Sequence, residues 1–148
     1  MLKKICGLAN QVIRGLEFLS PALDLFIRIW VGLVFFKSGL TKIQSWDSTV
    51  ALFENEYHVP VLPPEVAAIA GTGAELIFPI FLVLGLGGRF FAAALFVFNI
   101  VAVISYPDLG EVGLKDHRHW GLLLLVILLH GPGKLSLDHF IKKWCMCR

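Results

Sequence analysis

Charge is scarce in this sequence. Asp, Glu, Lys and Arg make up 16% of its 148 residues, whereas they make up about 25% of ordinary soluble domains, and 57% of the residues are hydrophobic. The net charge of +2 is too small to indicate a nucleic-acid-binding protein. A mean hydropathy of +0.76 is typical of an integral membrane protein. Because no linker or repeat divides the chain, residues 1–148 are predicted to form a single domain.

Cysteine and histidine are too sparse to indicate a cofactor site. Cys6, Cys145 and Cys147 form no CxxC, so neither a disulfide framework nor a thiol-exchange pair is predicted. The role of Cys145 and Cys147 stays open between reduced surface thiols, which we favour, and a redox or metal site. Residues 1–57 and 59–116 contain no histidine. Bis-histidine haem between facing helices is therefore disfavoured, and no metal site is predicted. Phosphate-binding loops and hydrolytic triads are also absent.

Long apolar runs are what the sequence does contain, at about residues 21–43, 64–86, 89–106 and 117–131. About 20 apolar residues in a helix cross a hydrocarbon core of about 30 Å. The fourth run is short, so its helix is expected to begin inside the preceding charged loop or to lie beneath a thinned bilayer. The sequence therefore predicts an all-α fold, an integral membrane four-helix bundle.

The connections and termini have patterns of their own. Glycines in residues 85–88 predict a tight turn between antiparallel helices, and residues 48–57 are expected to form a short surface helix. Residues 1–19 and the tail after Gly133 have amphipathic helical spacing with basic residues outside the apolar stripe. This pattern predicts N- and C-terminal helices that lie in the membrane interface and bind anionic lipid.

Lysine and arginine near the ends of the runs predict the topology. With four spans both termini lie on one side, which carries eight of these cations against three on the other. Since cytoplasmic segments are enriched in Lys and Arg, both termini are predicted to be cytoplasmic. The eight are Lys3, Lys4, Arg14, Arg89, Lys134, Lys142, Lys143 and Arg148, and the three are Lys42, Lys115 and Arg118.

Four polar residues inside the runs are candidates for a buried polar centre: Arg28, Lys37, Glu75 and Asn99. A cation in the bilayer core costs at least ~2.5 kcal/mol, so it is normally paired or hidden. Counted from opposite membrane faces, Arg28 and Glu75 lie at similar depths, which predicts an ion pair. The pair is interpreted either as fixing helix register or as placing a proton-accepting carboxylate beside a cavity. Snorkelling to the surface explains Lys37 as well as a site does.

Three motifs, in order along the chain, resemble the DoxX family of small bacterial and archaeal membrane proteins. Lys37 departs from the family pattern. The glycines of the first motif share a helix face with Arg28 and predict close approach of a neighbouring helix. The matching positions are Arg28, Gly32, Phe36, Gly39 and Lys42 in the first motif, Gly71, Glu75, Gly85 and Arg89 in the second, and Gly131, Gly133, Ser136 and Asp138 in the third.

The third motif, GPGKLSLD, also has a physical interpretation. Pro132 cannot continue a helix, and glycine accepts the positive φ of a helix end, so the fourth helix is expected to stop at Gly131. Ser136 has the chemistry of an N-cap, and Asp138 would then lie favourably in the first turn of the tail helix.

The resemblance implies a four-helix bundle in a bacterial inner (plasma) membrane. Since the namesake subunits belong to a thiosulfate:quinone oxidoreductase, it also implies a membrane subunit of a quinone-linked oxidoreductase complex. Quinone is then the candidate cofactor, and a soluble redox partner subunit would supply the electrons. The alternatives are a small-solute or ion carrier coupled through Glu75, which would form homo-oligomers, and a membrane scaffold without catalytic activity. No residue is assigned as catalytic.

Overall fold

The protein is built from helices along the part of the chain that the structure describes. The structure is a computed structural model that describes the backbone of residues 2–146 and the side chains of residues 7 and 10–146. The predictions for the side chains of Lys3, Lys4 and Cys6, and for Cys147 and Arg148, lie outside these residues. The helices are α1 (Leu2–Gln44), α2 (Trp46–Asn55), α3 (Pro64–Leu84), α4 (Gly88–Ser105), α5 (Gly110–His130) and α6 (Leu137–Met146).

Three of the described helices are long and apolar enough to cross a membrane: Asn10–Gln44 within α1, α3 and α4. Their outer faces expose large apolar side chains such as Phe26, Ile77 and Val97, as expected for contact with lipid. The all-α membrane class is therefore confirmed. α5 does not belong to this set, because its first turns carry several charges, so the fourth span remains a prediction. As predicted, α5 begins inside the charged loop.

α1 is the element against which the others are arranged. It continues without a break through Pro21, and its 43 residues measure about 64 Å at 1.5 Å per residue. No boundary therefore separates a surface helix from the first span, although two such segments were predicted. The side chains of residues 10–20 are exposed. No described side chain of α6 is buried either. The position of both segments in the membrane interface remains a prediction.

α3 packs antiparallel against the glycine-bearing face of α1. A Cβ atom on Gly32 would lie 2.6 Å from Val83 Cγ2, and one on Gly39 would lie 2.9 Å from Leu76 Cγ, so only glycine permits this approach. α4 and α5 complete the bundle around an apolar core. Its buried members are Val31, Phe35, Leu82, Ala92, Leu95, Leu124 and Ile127.

The bundle has two ends that differ in construction. At the first, which we call the turn end, residues 85–88 join α3 to α4, with φ of +66° at Gly85 and +59° at Gly87, and the segment 131–136 joins α5 to α6. At the second, which we call the α2 end, the short helix predicted within residues 48–57 is present as α2 and covers α3.

Candidate functional site

The four polar residues predicted to form one buried centre lie in separate places. Arg28 lies at the turn end, bonded to Val83, whereas Glu75 is bonded to Lys42 at the C-terminal end of α1. Asn99 lies between α4 and α5. Lys37 is exposed, so its assignment to a buried centre is wrong.

The predicted ion pair between Arg28 and Glu75 is wrong. The Arg28 side chain is fully buried, and its guanidinium donates to two backbone carbonyls, those of Val83 (2.9 Å) and Leu135. The depth estimate failed because it started the first span at Pro21, whereas α1 continues through that proline to Leu2. In the antiparallel register with α3, residue 28 faces residue 83, and Glu75 lies opposite the other end of the span.

Arg28 instead joins three elements of the turn end. Val83 lies in the last turn of α3, where the carbonyl groups find no N–H donor within the helix. Leu135 lies in the segment before α6. The carboxylates of Asp24 and Asp138 interact with its charge through space. A planar guanidinium suits this role because its donors point in fixed, different directions. This arrangement is structural in character.

The Lys42–Glu75 pair is the single ion pair among the residues that the structure describes. Lys42 Nζ lies 2.6 Å from Glu75 Oε2 and 2.8 Å from Oε1. Ser38 Oγ donates to Oε1 at 3.1 Å and accepts from Lys42 Nζ at 3.0 Å. The side chains of Lys42 and Glu75 are 16% and 8% exposed. Every oxygen of the buried carboxylate is therefore bonded, which offsets part of the cost of its desolvation.

The local sequence explains how this cluster forms. Ser38 and Lys42 are four residues apart and lie on one helix face. Gly39 lies on that face too, and a Cβ there would be 3.1 Å from the Cβ of Glu75. The missing side chain at Gly39 thus lets α3 bring its carboxylate between the two donors. Sequence reasoning missed Ser38 and the pairing of Lys42, although an S-G-x-x-K run facing an intramembrane glutamate is a usable signal.

A cavity of about 290 Å³ opens beside the Lys42–Glu75 pair, and we call it the α2-end cavity. This volume is near the lower limit of typical small-molecule sites, about 300 Å³. Small and aromatic side chains form most of its wall, and a Cβ on Gly71 would lie 3.6 Å from the Phe53 ring, so this motif glycine makes room without being required by a clash. The apolar and aromatic members are Phe53, Val59, Leu62, Ala67, Ala70, Gly71, Ala74, Phe98, Val101 and Ala102.

Two hydroxyl groups also line the α2-end cavity. Ser105 is 1% exposed, and its Oγ has no hydrogen-bond partner among the described residues, while its carbonyl accepts from the backbone N–H of His58 at 2.8 Å. Tyr57 is stacked between the rings of Phe53 and Tyr106, at centroid distances of 4.6 and 4.9 Å. Burial and the nearby Glu75 carboxylate raise the pKa of the Tyr57 phenol, so this group stays protonated at neutral pH. The cavity therefore combines an apolar interior with hydroxyl donors and a charged pair.

Asn99 forms a separate polar contact between α4 and α5. Its Oδ1 lies 2.7 Å from His117 Nδ1, and its Nδ2 donates to the His117 carbonyl at 2.9 Å. Since Oδ1 can only accept, His117 carries its proton on Nδ1. His117 stands at the start of the fourth predicted run and lies well inside α5, because that helix starts at Gly110. This contact ties the two helices together and does not reach the Lys42–Glu75 pair.

Comparison with known proteins supports the resemblance that the motifs suggested. The DoxX family model matches residues 23–107, more than half of the chain. The chain belongs to the DoxX family. It is also 34% identical over 128 residues to an uncharacterized protein of Haemophilus influenzae, an alignment that covers 80% of this chain and 83% of that one. No solved structure matches the chain significantly.

The match to the DoxX family includes the Lys42–Glu75 pair and every residue that lines the α2-end cavity, since it runs from within α1 to just past the end of α4. It stops before the third motif, residues 131–138. In the structure that motif ends α5, with φ of +95° at Gly131 and +77° at Gly133. Ser136 Oγ accepts from the His139 N–H at 3.3 Å, the geometry of an N-cap. Among the described side chains, no group of three or more His, Cys, Asp or Glu is placed to hold a metal ion.

Proposed function

We propose that this DoxX protein is a membrane subunit of a quinone-linked oxidoreductase complex and that the α2-end cavity binds the quinone head group. The observation that carries the proposal is a buried ion pair opening into a cavity with apolar and aromatic walls. A quinone presents a flat apolar ring to such walls and carbonyl oxygens to hydrogen-bond donors. Small-molecule sites commonly have this composition, with few polar groups in an apolar pocket.

The polar groups of the cavity would have distinct roles. The hydroxyl of Ser105, which is buried without a hydrogen-bond partner among the described residues, would donate to one quinone carbonyl, and the protonated phenol of Tyr57 would donate to the other. Reduction of a quinone takes up protons as well as electrons. Glu75, held between Lys42 and Ser38, would take up a proton from water and pass it to a reduced quinone oxygen, which returns the side chain to the carboxylate that pairs with Lys42.

The electrons would come from a soluble redox partner subunit, with quinone as the acceptor. In this proposal the protein lies in a bacterial inner membrane with α5 as a fourth span and both termini in the cytoplasm. The asymmetry of Lys and Arg supports this orientation. The α2-end cavity would then face the periplasmic side. The amphipathic pattern of α6, with exposed Phe140, Ile141 and Trp144 beside Lys142 and Lys143, supports an interfacial position for that helix.

A carrier for a small solute or an ion is the second candidate. The observation that favours it is the position of Glu75, a carboxylate within a membrane-spanning helix and next to a cavity, as coupling residues are in transporters. A carrier of this size would work as a homo-oligomer. The two functions differ in transport: a carrier moves its ligand across a liposome membrane, whereas a quinone-binding subunit keeps its ligand bound.

A matched pair of glycine variants tests the proposal. Gly71→Leu fills the α2-end cavity, whereas Gly73→Leu, on the same helix, adds a side chain where nothing lies within 4 Å. Protein purified from membranes in mild detergent is extracted and its quinone measured by mass spectrometry. We expect about one quinone per chain in wild type and in Gly73→Leu, and a loss of most of it in Gly71→Leu.

Two results of this experiment would contradict the quinone proposal. Wild-type protein without quinone, including after incubation with a soluble short-chain quinone, would remove its basis. Equal quinone content in Gly71→Leu and Gly73→Leu would place the bound quinone outside this cavity. If liposomes that contain wild-type protein take up a solute and liposomes that contain Gly71→Leu do not, the carrier would be favoured.

A further inference from the structure

A second and larger cavity, of about 750 Å³, lies at the turn end of the bundle. It is bounded by α1, the start of α4, the segment before α6 and α6 itself, and we call it the turn-end cleft. The proposed function makes no use of it. Its wall differs from that of the α2-end cavity because it includes several charged side chains of both signs. Those on which the argument rests are Glu17, Asp24, Arg89, Lys134 and Lys142.

The charges of the turn-end cleft are separated by sign. Both carboxylates, Glu17 and Asp24, belong to α1, while the cations come from α4, the segment before α6 and α6. None of these five groups forms an ion pair with another described residue, since the Lys42–Glu75 pair is the single one there, although Asp24 interacts through space with the charge of Arg28. Arg89 makes only long contacts, at 3.3 and 3.4 Å, to the last carbonyls of α5. The carboxylates of α1 thus form an acidic wall of the cleft, and the cations of the other elements form a basic wall.

A third carboxylate of the cleft is already occupied. Asp138 accepts hydrogen bonds from the backbone N–H groups of Gly87 and Gly88, each at 2.9 Å. It therefore neutralises the N-terminus of α4 and fixes α6 beside the turn. Its charge is not available to balance the cations of the basic wall.

The walls of the cleft are held by the fold. Arg28 bonds to the Leu135 carbonyl, and Ser136 bonds to the Gly133 carbonyl at 2.6 Å, so the segment before α6 is fixed. A Cβ on Gly133 would lie 2.5 Å from Asp24 Oδ2, so a glycine brings this segment against the acidic wall. The segment that carries Lys134 is therefore held against α1, which carries Asp24.

We propose that the turn-end cleft binds a phosphoethanolamine group, with its phosphate on Arg89, Lys134 and Lys142 and its ammonium on Glu17 and Asp24. A primary ammonium donates charge-assisted hydrogen bonds to carboxylates, and a phosphate diester accepts them from arginine and lysine. The zwitterion matches both walls, whereas a simple anion would be repelled by the acidic one. This proposal is independent of the quinone proposal, which concerns the other end of the bundle.

A phospholipid head group is the source that the position of the cleft favours. Phe90 lines the cleft and is 68% exposed, and it begins the apolar outer surface of α4. A head group in the cleft would therefore place its acyl chains along a surface that already suits lipid. A water-soluble ester would gain nothing from this neighbouring surface.

The test is lipid binding to delipidated protein in detergent, followed by native mass spectrometry with phosphatidylethanolamine, phosphatidylcholine and phosphatidylglycerol of identical acyl chains. Phosphatidylethanolamine should bind roughly tenfold more tightly than the other two, because the choline group cannot donate these hydrogen bonds and the glycerol group has no positive charge. Soluble glycerophosphoethanolamine, added in parallel, should compete poorly.

Single variants connect this preference to the cleft. Glu17→Gln should reduce the preference for phosphatidylethanolamine over phosphatidylcholine, and Lys134→Gln should weaken all three lipids. Lys37→Gln, an exposed cation elsewhere on α1, is the matched control and should change neither. Equal binding of the three lipids, or a preference unchanged by Glu17→Gln, would overturn the proposal. Tight competition by the soluble ester would overturn the assignment to a membrane lipid.

Discussion

The two ends of the bundle each hold a cation that is shielded from solvent, but they bind it in different ways. At the α2 end, Lys42 is neutralised by a carboxylate that borders a cavity. At the turn end, Arg28 is bonded to backbone carbonyls of two elements. A cation held by carbonyls cannot exchange its partner without breaking the fold, whereas a carboxylate can give up or accept a proton. The comparison therefore supports a structural role for Arg28 and the proposed proton-transfer role for Glu75.

Replacing Arg28 should have the largest effect on stability. Arg28→Met leaves the carbonyls of Val83 and Leu135 without their donor and should lower the free energy of unfolding by about 3 kcal/mol. Thermal unfolding in detergent measures this. Arg28→Lys should recover only part of the loss, because an ammonium lacks the fixed fork of donors. Lys37→Met, the exposed control on the same helix, should stay within about 0.5 kcal/mol of wild type. A wild-type melting curve for Arg28→Met would contradict the structural role.

Replacing Asp138 should have a smaller effect at the same end. Asp138→Asn removes the negative charge that faces the N-terminus of α4 and weakens its bonds to Gly87 and Gly88, which should cost about 1 kcal/mol. Asp108→Asn, in the exposed loop after α4, is the control and should be neutral. The same unfolding measurement applies to both. Equal stability of the two variants would show that Asp138 does not hold α6 against the turn.

Much of the fold could be predicted because it depends on local patterns. Apolar length identifies the three long spans, glycines identify the turn at residues 85–88, and Gly131 with Pro132 identifies the end of α5. The short helix α2 follows from its own amphipathic sequence. Each of these features is set by residues close together in the chain.

The pairing of polar residues could not be predicted in the same way. Depth in a membrane was counted from Pro21, but α1 passes through that residue, so the count placed Arg28 opposite the wrong turn of α3. Register is set by Gly32 and Gly39, where α3 approaches most closely. These glycines were recognised as a packing face, but their partners on α3 depend on the tertiary arrangement. His117 was missed as the partner of Asn99 because that pairing, too, depends on how α4 and α5 pack against each other.

Two double-mutant cycles that share wild type and Glu75→Gln test the central claim most directly. Stabilities are measured for Lys42→Met, Arg28→Met and Glu75→Gln, and for the two double variants that contain Glu75→Gln. Coupling between Lys42 and Glu75 should be about 1–3 kcal/mol, because the residues share a buried contact. Arg28 and Glu75 should be additive within about 0.5 kcal/mol, since they lie at opposite ends of the span. Strong coupling of Arg28 to Glu75, with none between Lys42 and Glu75, would contradict the account.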